Sequence, residues 1–254
     1  MKKEITSVIF LSIVCSLSIF SQDTKQHKFT TDINFTGNVF TGNTQRVLLI
    51  NNANFKIESH SGKTNFQSKN RYIYGTAGGN SKENDYRTSN YFMLKINKKW
   101  NPIIGFYFET LRIKKLRSSI KPLIGIQYKL IDNGKITVYP RVLIGYSWQK
   151  FNGTNFKDFD SHSSNEINGM NINFGLNASF NPFKDKIIFN VFSIYHLDIT
   201  KSNYQRLWLD FNTKILLFKG LYARLSLNNY YESIVLEGIQ NNDLHITYGF
   251  GYRF

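Results

Sequence analysis

The sequence predicts an all-β protein, a closed antiparallel transmembrane β-barrel of about 12 strands. Three observations support this prediction. Apolar and polar residues alternate with a period of two along most of the chain. Aromatic residues make up 16% of it, with 22 Phe and 15 Tyr, and such a composition favours strands. The last residues form one more alternating strand, which ends on Phe254.

The N-terminal segment, residues 1–22, is predicted to be a signal peptide rather than part of the fold. Lys2 and Lys3 give it a positively charged start. Residues 8–20 form an apolar core of signal-peptide length, and Ser21 is a small residue where cleavage would occur. The alternative is a membrane anchor helix, but the apolar run is shorter than the roughly 20 residues that such a helix needs.

The barrel itself is assigned to residues 23–254. Beyond the signal peptide no apolar run approaches the length of a membrane helix, and the mean hydropathy of −0.32 is too polar for a helix bundle. Cys15, the only cysteine, lies in the signal peptide. A cleaved chain would therefore have no disulfide and no Cys-based metal site.

The alternation is clear from the first predicted strand onward. In residues 28–40 most odd positions are apolar, among them Phe29, Ile33 and Phe35, and the positions between them are polar. A helix would need apolar residues at spacings of three and four. The predicted strands are 28–40, 45–58, 64–75, 85–97, 102–112, 119–131, 136–149, 165–180, 187–199, 204–218, 221–232 and 243–254.

The connections between these strands alternate in length, as they do in barrels with short periplasmic turns. The short set is 60–63, 97–101, 132–135, 181–186 and 219–220. The other set has long members at 75–84, 150–164 and 233–242, and short ones at 41–44 and 200–203. This parity predicts that both termini lie in the periplasm.

Pro122 and Pro140 fall inside predicted strands, where each predicts a bulge or a strand end because it removes a ladder hydrogen bond.

The final strand carries the sharpest pattern. Its even positions are apolar or aromatic up to Phe254, and Thr247, Gly249 and Gly251 lie between them. Such terminal strands resemble the signal that the outer-membrane barrel assembly machinery reads. That machinery and outer-membrane lipid are therefore the expected partners. The final strand of a soluble barrel is the alternative. The predicted assembly signal comprises Tyr248, Phe250, Tyr252 and Phe254.

Five segments resemble the salt-induced YdiY-like outer-membrane proteins, a family with a domain of unknown function. They are Gly37-Asn38-Val39-Phe40-Thr41-Gly42-Asn43-Thr44, Glu83-Asn84-Asp85-Tyr86, Trp100-Asn101-Pro102, Phe108-Glu109 and Leu217-Phe218-Lys219-Gly220-Leu221. The resemblance covers essentially the whole mature chain. It implies an outer-membrane barrel and no established biochemical activity. The salt response of some members is not carried over to this chain.

The predicted inward face has more basic than acidic side chains. The basic residues are Lys69, Arg71, Arg87, Lys129, Arg141, Arg206, Lys214, Arg224 and Arg253, and the acids are Asp32, Glu58, Asp85, Glu109, Asp210 and Glu232. A basic lumen would attract anions. An ion-pair network that fills a small barrel is the alternative, and it is favoured because small barrels are usually filled. The lumen-lining basic cluster is Arg71, Arg141, Arg206, Arg224 and Arg253.

A second candidate site is the string of residues 162–165. This string resembles the active-site strand of outer-membrane phospholipases and lipid A deacylases. His162 and Ser164 are two positions apart, as the base and the nucleophile are in that strand. Both residues share the phase of Met170, which is predicted to face lipid. The flanking sequence matches neither enzyme family, and no third residue is identified to orient the histidine. A chance loop histidine is therefore favoured.

Together these observations predict an integral outer-membrane protein that is not an enzyme, with a role in envelope structure or in the limited passage of small solutes. Two alternatives are a lipid acyl hydrolase using His162 and Ser164, and a soluble periplasmic barrel that binds an apolar ligand. No cofactor or metal ion is expected, because the other histidines show no ligand spacing. Nucleic acid is not an expected partner, since export separates the chain from it.

Overall fold

The computed structural model describes residues 27–40, 46–59, 61–77, 80–97, 99–157, 164–183, 186–200 and 204–254. The signal peptide predicted for residues 1–22 lies outside these ranges and stays a prediction. Within them, no helix is long and apolar enough to cross a lipid bilayer.

The described chain folds into thirteen strands. They are β1 (His27–Phe40), β2 (Arg46–Ser59), β3 (Thr64–Ala77), β4 (Asn80–Leu94), β5 (Trp100–Leu111), β6 (Leu116–Tyr128), β7 (Ile131–Asp132), β8 (Ile136–Phe151), β9 (Glu166–Phe180), β10 (Ile187–Asp198), β11 (Gln205–Phe218), β12 (Leu221–Glu232) and β13 (Asn242–Arg253). The two residues of β7 pair with the start of β8, and the other twelve strands form the wall.

The wall is a closed antiparallel barrel. Each of the twelve strands pairs with its neighbours along the chain, β6 pairs with β8, and β1 pairs with β13. The twelve-stranded barrel predicted from the sequence is therefore confirmed. Closure pairs the first and last strands over Asp32–Gly37 and Tyr248–Arg253, and such pairing of backbone N–H and C=O groups is a condition for a sheet that lies in lipid.

The two faces of the wall differ as the alternation predicts. Phe35 and Phe250 lie opposite each other across the seam between β1 and β13, and their side chains are 62% and 60% exposed on the outside. The next residue in β1, Thr36, and Thr247 of β13 point inward, are buried, and their hydroxyl oxygens are 3.2 Å apart. The outer face is thus apolar and the inner face largely polar.

The long connection predicted for residues 75–84 is wrong. Strands β3 and β4 continue to pair as far as Ala77 and Asn80, with a register shift between Gly75 and Thr76. The polar residues of this segment suggested a loop, but they extend the hairpin. Pairing between the strands satisfies their backbone N–H and C=O groups, and this pairing does not require apolar side chains.

The effect predicted for the two prolines is also wrong. Strand β6 continues through Pro122 and β8 through Pro140. The β6–β8 ladder keeps one register from Ile120 to Leu123, so the missing donor of Pro122 produces no bulge in this fully described stretch. The β6–β8 ladder ends at Arg141, and Pro140, the preceding residue of β8, is outside it. Its missing N–H therefore falls outside the β6–β8 pairing.

The barrel has two distinct ends. The terminal end holds the start of β1, the end of β13 and, of the connections, the described residues 61–63, 95–97, 129–135, 181–183 and 219–220. The loop end holds the end of β1, the start of β13 and the described residues 112–115, 152–157, 164–165, 199–200 and 233–241.

Two residues predicted to face the lumen lie at the rim of the terminal end instead. Lys129 follows the end of β6, and its Nζ donates to Asp132 Oδ2 at 2.6 Å. This hydrogen bond lowers the pKa of the Asp132 carboxyl. Glu58 lies near the end of β2 and forms ion pairs with Lys95 at 2.5 Å and Lys56 at 3.2 Å. The alternation assigns a face, but it does not tell whether a residue lies beyond the lumen.

Candidate functional site: the lumen of the barrel

At the loop end, the connection between β12 and β13, residues 233–241, folds into the barrel and is called the plug here. Ile234, Val235 and Leu236 are buried. They occupy the mouth of the lumen at the loop end, because the side chains around them come from inward positions of the wall and from the neighbouring connections. The apolar cluster around Ile234 and Leu236 comprises Leu111, Leu116, Phe151, Phe156, Ile167, Tyr204 and Tyr230.

Backbone hydrogen bonds join the plug to the connection between β8 and β9. The N–H of Lys157 donates to the carbonyl of Val235 at 2.8 Å, and the N–H of Glu237 donates to the carbonyl of Asn155 at 2.9 Å. The plug is therefore paired as well as packed, and the carbonyl of buried Val235 has a hydrogen-bond partner, as burial requires.

The turn between β5 and β6 holds the plug from another side. Lys114 in this turn is buried, and its Nζ lies 2.8 Å from Asp243 Oδ2. The same ammonium donates to the carbonyl of Gln240 in the plug. A buried lysine needs such partners, because burial of an uncompensated charge is costly.

Below the plug, a set of four charged residues crosses the lumen and is called the charge girdle here: Arg87, Glu109, Arg206 and Glu232. Arg206 donates to Glu109 and lies 3.5 Å from Glu232, and Arg87 lies 3.5 Å from the other oxygen of Glu109. The hydroxyl of Tyr204 donates to Glu232 at 2.6 Å. All four charged side chains are buried. The ion-pair network expected for a filled barrel is present here.

Between the charge girdle and the terminal end lies a cavity of about 270 Å³. Its wall is rich in amides and hydroxyls, and it carries five cationic side chains and one carboxylate, Asp210. Thr137 and Ser179 on this wall are each one residue from a strand end at the terminal end, so the cavity extends toward that end. The cationic residues on the wall are Lys69, Arg71, Arg87, Lys214 and Arg224.

Some of these cations have an acidic partner and others do not. Arg71 Nη1 lies 3.4 Å from Asp210, and Lys214 Nζ lies 2.5 Å from Asp32. For Lys69 and Arg224, no carboxylate of the described residues lies within 4.0 Å.

The five arginines of the predicted basic cluster lie at different heights of the barrel. Arg206 belongs to the charge girdle, and Arg71 and Arg224 border the cavity. Arg141 is buried over the rings of Tyr91 and Phe192, and Arg253 is half-exposed at the terminal end, 3.6 Å from Asp32. The structure brings Arg71 and Arg224 to one cavity and separates Arg253 from Arg206.

The plug is not predicted by the sequence. Residues 234–236 form an apolar run of three inside the long connection predicted for residues 233–242. An apolar run of that kind is the signal that a loop is buried, because such residues rarely cluster on a polar surface.

The string considered for lipid hydrolysis is only partly described. His162 lies outside the described residues. Ser164 is exposed just before β9, and its Oγ accepts a hydrogen bond from the N–H of Glu166 at 3.1 Å. This arrangement resembles a local turn. In the described ranges no group of three or more His, Cys, Asp or Glu side chains is placed to hold a metal ion.

These features define a class of protein: a closed twelve-stranded barrel with an apolar outer face, a plugged loop end and a charged lumen. A family model described as "Protein of unknown function, DUF481" matches residues 33–254, and the chain belongs to this family. No curated protein matches the sequence.

Solved barrels share the architecture at low sequence identity. The NanC porin is 9% identical, with a TM-score of 0.50 over 87% of this chain and 97% of that chain. The translocator domain of the autotransporter NalP from Neisseria meningitidis is 13% identical, with a TM-score of 0.42 over 100% and 96% of the two chains. At these identities the likeness to NanC supports the fold alone.

Proposed function

We propose that this protein is an integral outer-membrane barrel of the YdiY-like kind whose lumen is closed at the loop end, and that it serves the envelope as a closed barrel rather than as an open pore. The plug is the observation that carries this proposal. Ile234 and Leu236 fill the mouth of the lumen, and the charge girdle crosses the lumen directly below them.

The outer face supports placement in a membrane. Large apolar side chains such as Ile124, Phe174 and Tyr248 are exposed around the wall. Continuous apolar surface of this extent is unfavourable in water and is typical of a membrane-facing surface. The same observation disfavours the soluble barrel with an apolar ligand inside, because that barrel would place its apolar residues inward.

The sequence allows two roles, one in envelope structure and one in the limited passage of small solutes, and a closed lumen favours the first. Passage of solutes would require the plug to leave its apolar cluster and would break the hydrogen bond from Lys114 to the carbonyl of Gln240. An envelope-structural role needs no such movement. The proposal assigns no reaction to the chain, and outer-membrane lipid and the barrel assembly machinery are its proposed partners.

Single-channel conductance of the purified barrel in a planar bilayer tests the proposal. We expect no lasting open state for the unmodified protein. A variant in which Ile234, Val235 and Leu236 are all replaced by Ser should open in discrete steps, because water then enters the cluster. The control is Asn152→Ser, an exposed change at the same end. Steady conductance of the unmodified protein, equal to that of the triple variant, would contradict a closed lumen.

A further inference from the structure

We propose that the cavity below the charge girdle binds a small organic dianion that carries carboxylate or phosphate groups. The wall of this cavity has five cationic side chains and one carboxylate. The inference goes beyond the proposed envelope role, and it concerns the folded barrel alone, whether or not the barrel lies in a membrane.

Lys69 is the first residue that points to an anion. Its ammonium lies 4.8 Å from the ring centroid of Phe192, and no described carboxylate lies within 4.0 Å of it. A ring face attracts a cation but does not neutralise it. The ammonium of Lys69 therefore borders the cavity without an ion pair to a described carboxylate, and Asp210 is the nearby acid on the same wall.

Arg71 is the second. It is 7% exposed, and its Nη1 donates to Asn228 and Asp210. Its Nε is buried and has no hydrogen-bond partner. Asp210 also accepts a hydrogen bond from Trp208 Nε1 at 2.9 Å, so the one carboxylate on the wall is already shared between two donors. Arg71 thus retains a donor for a further acceptor.

Arg224 and Arg141 add to the surplus. Arg224 borders the cavity, and its Nε donates to the neutral hydroxyl of Ser226 at 2.7 Å. Arg141 lies next to the cavity, with its guanidinium 5.1 Å from the same Phe192 ring. Neither has a described carboxylate within 4.0 Å. Lys69, Arg224 and Arg141 are therefore three positive charges without a described carboxylate within 4.0 Å.

Such a surplus is unfavourable in a low-dielectric interior. Walls that carry one sign of charge also concentrate mobile ions of the opposite sign. An anion from solution would supply the missing negative charge and accept the hydrogen bonds that Lys69 and Arg71 still have to give. Two negative charges would compensate the surplus better than one.

The size and chemistry of the cavity limit the ligand. A volume of about 270 Å³ equals that of about nine water molecules at ~30 Å³ each, which suits a small organic anion. Asn52, Asn54, Asn190 and Asn212 line the wall together with hydroxyls. Amides and hydroxyls bind the oxygens of a polar ligand.

The terminal end offers the route of entry, since the plug occupies the loop end. A second cavity of about 210 Å³ lies at the terminal end, lined by Tyr222 and Arg253 among others. Lys214 borders both cavities. An anion that enters there would pass Arg253 and Lys214 before it reaches Lys69.

The test is thermal unfolding of the detergent-folded barrel with three probes at constant ionic strength: succinate, inorganic phosphate and uncharged 1,4-butanediol. A ligand that binds only the folded state raises the unfolding midpoint with concentration. We expect succinate, phosphate or both to do so and butanediol to have no effect. The anion that acts identifies the headgroup chemistry. An unchanged midpoint with both succinate and phosphate at constant ionic strength would overturn the proposal.

Lys69→Gln is the decisive variant, and Lys135→Gln in an exposed turn is its matched control. We expect the apparent affinity for the active anion to fall about tenfold or more in Lys69→Gln, the loss of one charge-assisted hydrogen bond, and to be unchanged in Lys135→Gln. Without anion, Lys69→Gln should be at least as stable as the unmodified barrel, because it removes an unbalanced charge. A purely structural lysine would give the opposite result.

Arg224→Gln is a second variant that keeps the proposal testable if Lys69→Gln does not fold. Folding of each variant is checked by its mobility in an unboiled gel. If the folded Lys69→Gln barrel responds to the anion as the unmodified barrel does, the assignment of the site is overturned. Where Lys69→Gln does not fold, an unchanged anion response of the folded Arg224→Gln barrel overturns it instead.

Discussion

Arg206 on β11 and Glu109 on β5 form an ion pair across the lumen, although their strands stand on nearly opposite sides of the wall. Both side chains are buried. Glu109 also lies 3.5 Å from Arg87 on β4. The carboxylate of Glu109 thus links β4, β5 and β11 through the interior and opposes flattening of the barrel.

Glu109→Gln should destabilise the barrel by about 3 kcal/mol, because it leaves two buried guanidinium groups with one fewer negative charge. The free energy of unfolding in urea measures the effect. The comparison is Glu166→Gln, which breaks the ion pair with Lys150 on the surface and should change stability little. Equal effects of the two changes would show that the charge girdle adds no more than a surface pair.

The sequence predicts the wall of this barrel well and its lumen poorly, for a physical reason. A period of two tells which face a side chain takes, as Thr247 and Phe250 show, because the strand geometry is local. It does not tell the height of a residue inside the barrel or which strand faces it across the lumen. Arg206 and Arg253 share the inward phase, yet only Arg206 belongs to the charge girdle.

The final strand should tolerate changes on its inner face better than on its outer face. Phe250→Asp should reduce the membrane-inserted form strongly, because a charged side chain on the lipid-facing side of a transmembrane barrel is destabilising. Phe250 is exposed on the outside. Deletion of Phe254 should also reduce insertion if the terminal residues form the proposed assembly signal. The measurement is the fraction of heat-modifiable protein in outer-membrane preparations.

Thr247→Ser is the control for this strand. Thr247 is fully buried next to Thr36, and serine keeps the hydroxyl that meets it. We expect normal insertion. Normal insertion of Phe250→Asp together with failure of Thr247→Ser would mean that the faces of β13 are reversed.

The two ends of the barrel should lie on opposite sides of the membrane. Ser164 at the loop end, outside the plug, and Gly134 at the terminal end are both exposed, so each is suited to a short epitope tag. Antibody should reach the tag at Ser164 on intact cells. It should reach the tag at Gly134 only after the outer membrane is permeabilised. The reverse pattern would invert the proposed topology.

A tag at Gly153 would be a poorer choice, because a Cβ atom there would lie 3.2 Å from the side chain of Leu236 in the plug. A tag inserted at Gly153 would disturb the plug, and antibody binding would then not report on the undisturbed barrel.

Export predicts a shortened N-terminus. Lys2, Lys3 and the apolar residues 8–20 indicate cleavage near Ser21 or Gln22. Intact mass spectrometry of the membrane fraction should find a chain that begins there. An intact Met1 on the membrane-bound protein would contradict the signal peptide.

The seam between β1 and β13 runs from Asp32 paired with Arg253 to Gly37 paired with Tyr248, and it is an ordinary antiparallel ladder. The start and the end of the barrel are therefore neighbours, and a linker from Phe254 to His27 would create a circular permutant opened at Gly134. The permuted chain retains every strand pair, but β13 is no longer last. It would therefore test the proposed assembly signal, since refolding into detergent needs only the closed ladder, whereas insertion in cells would fail as well if that signal must lie at the end of the chain.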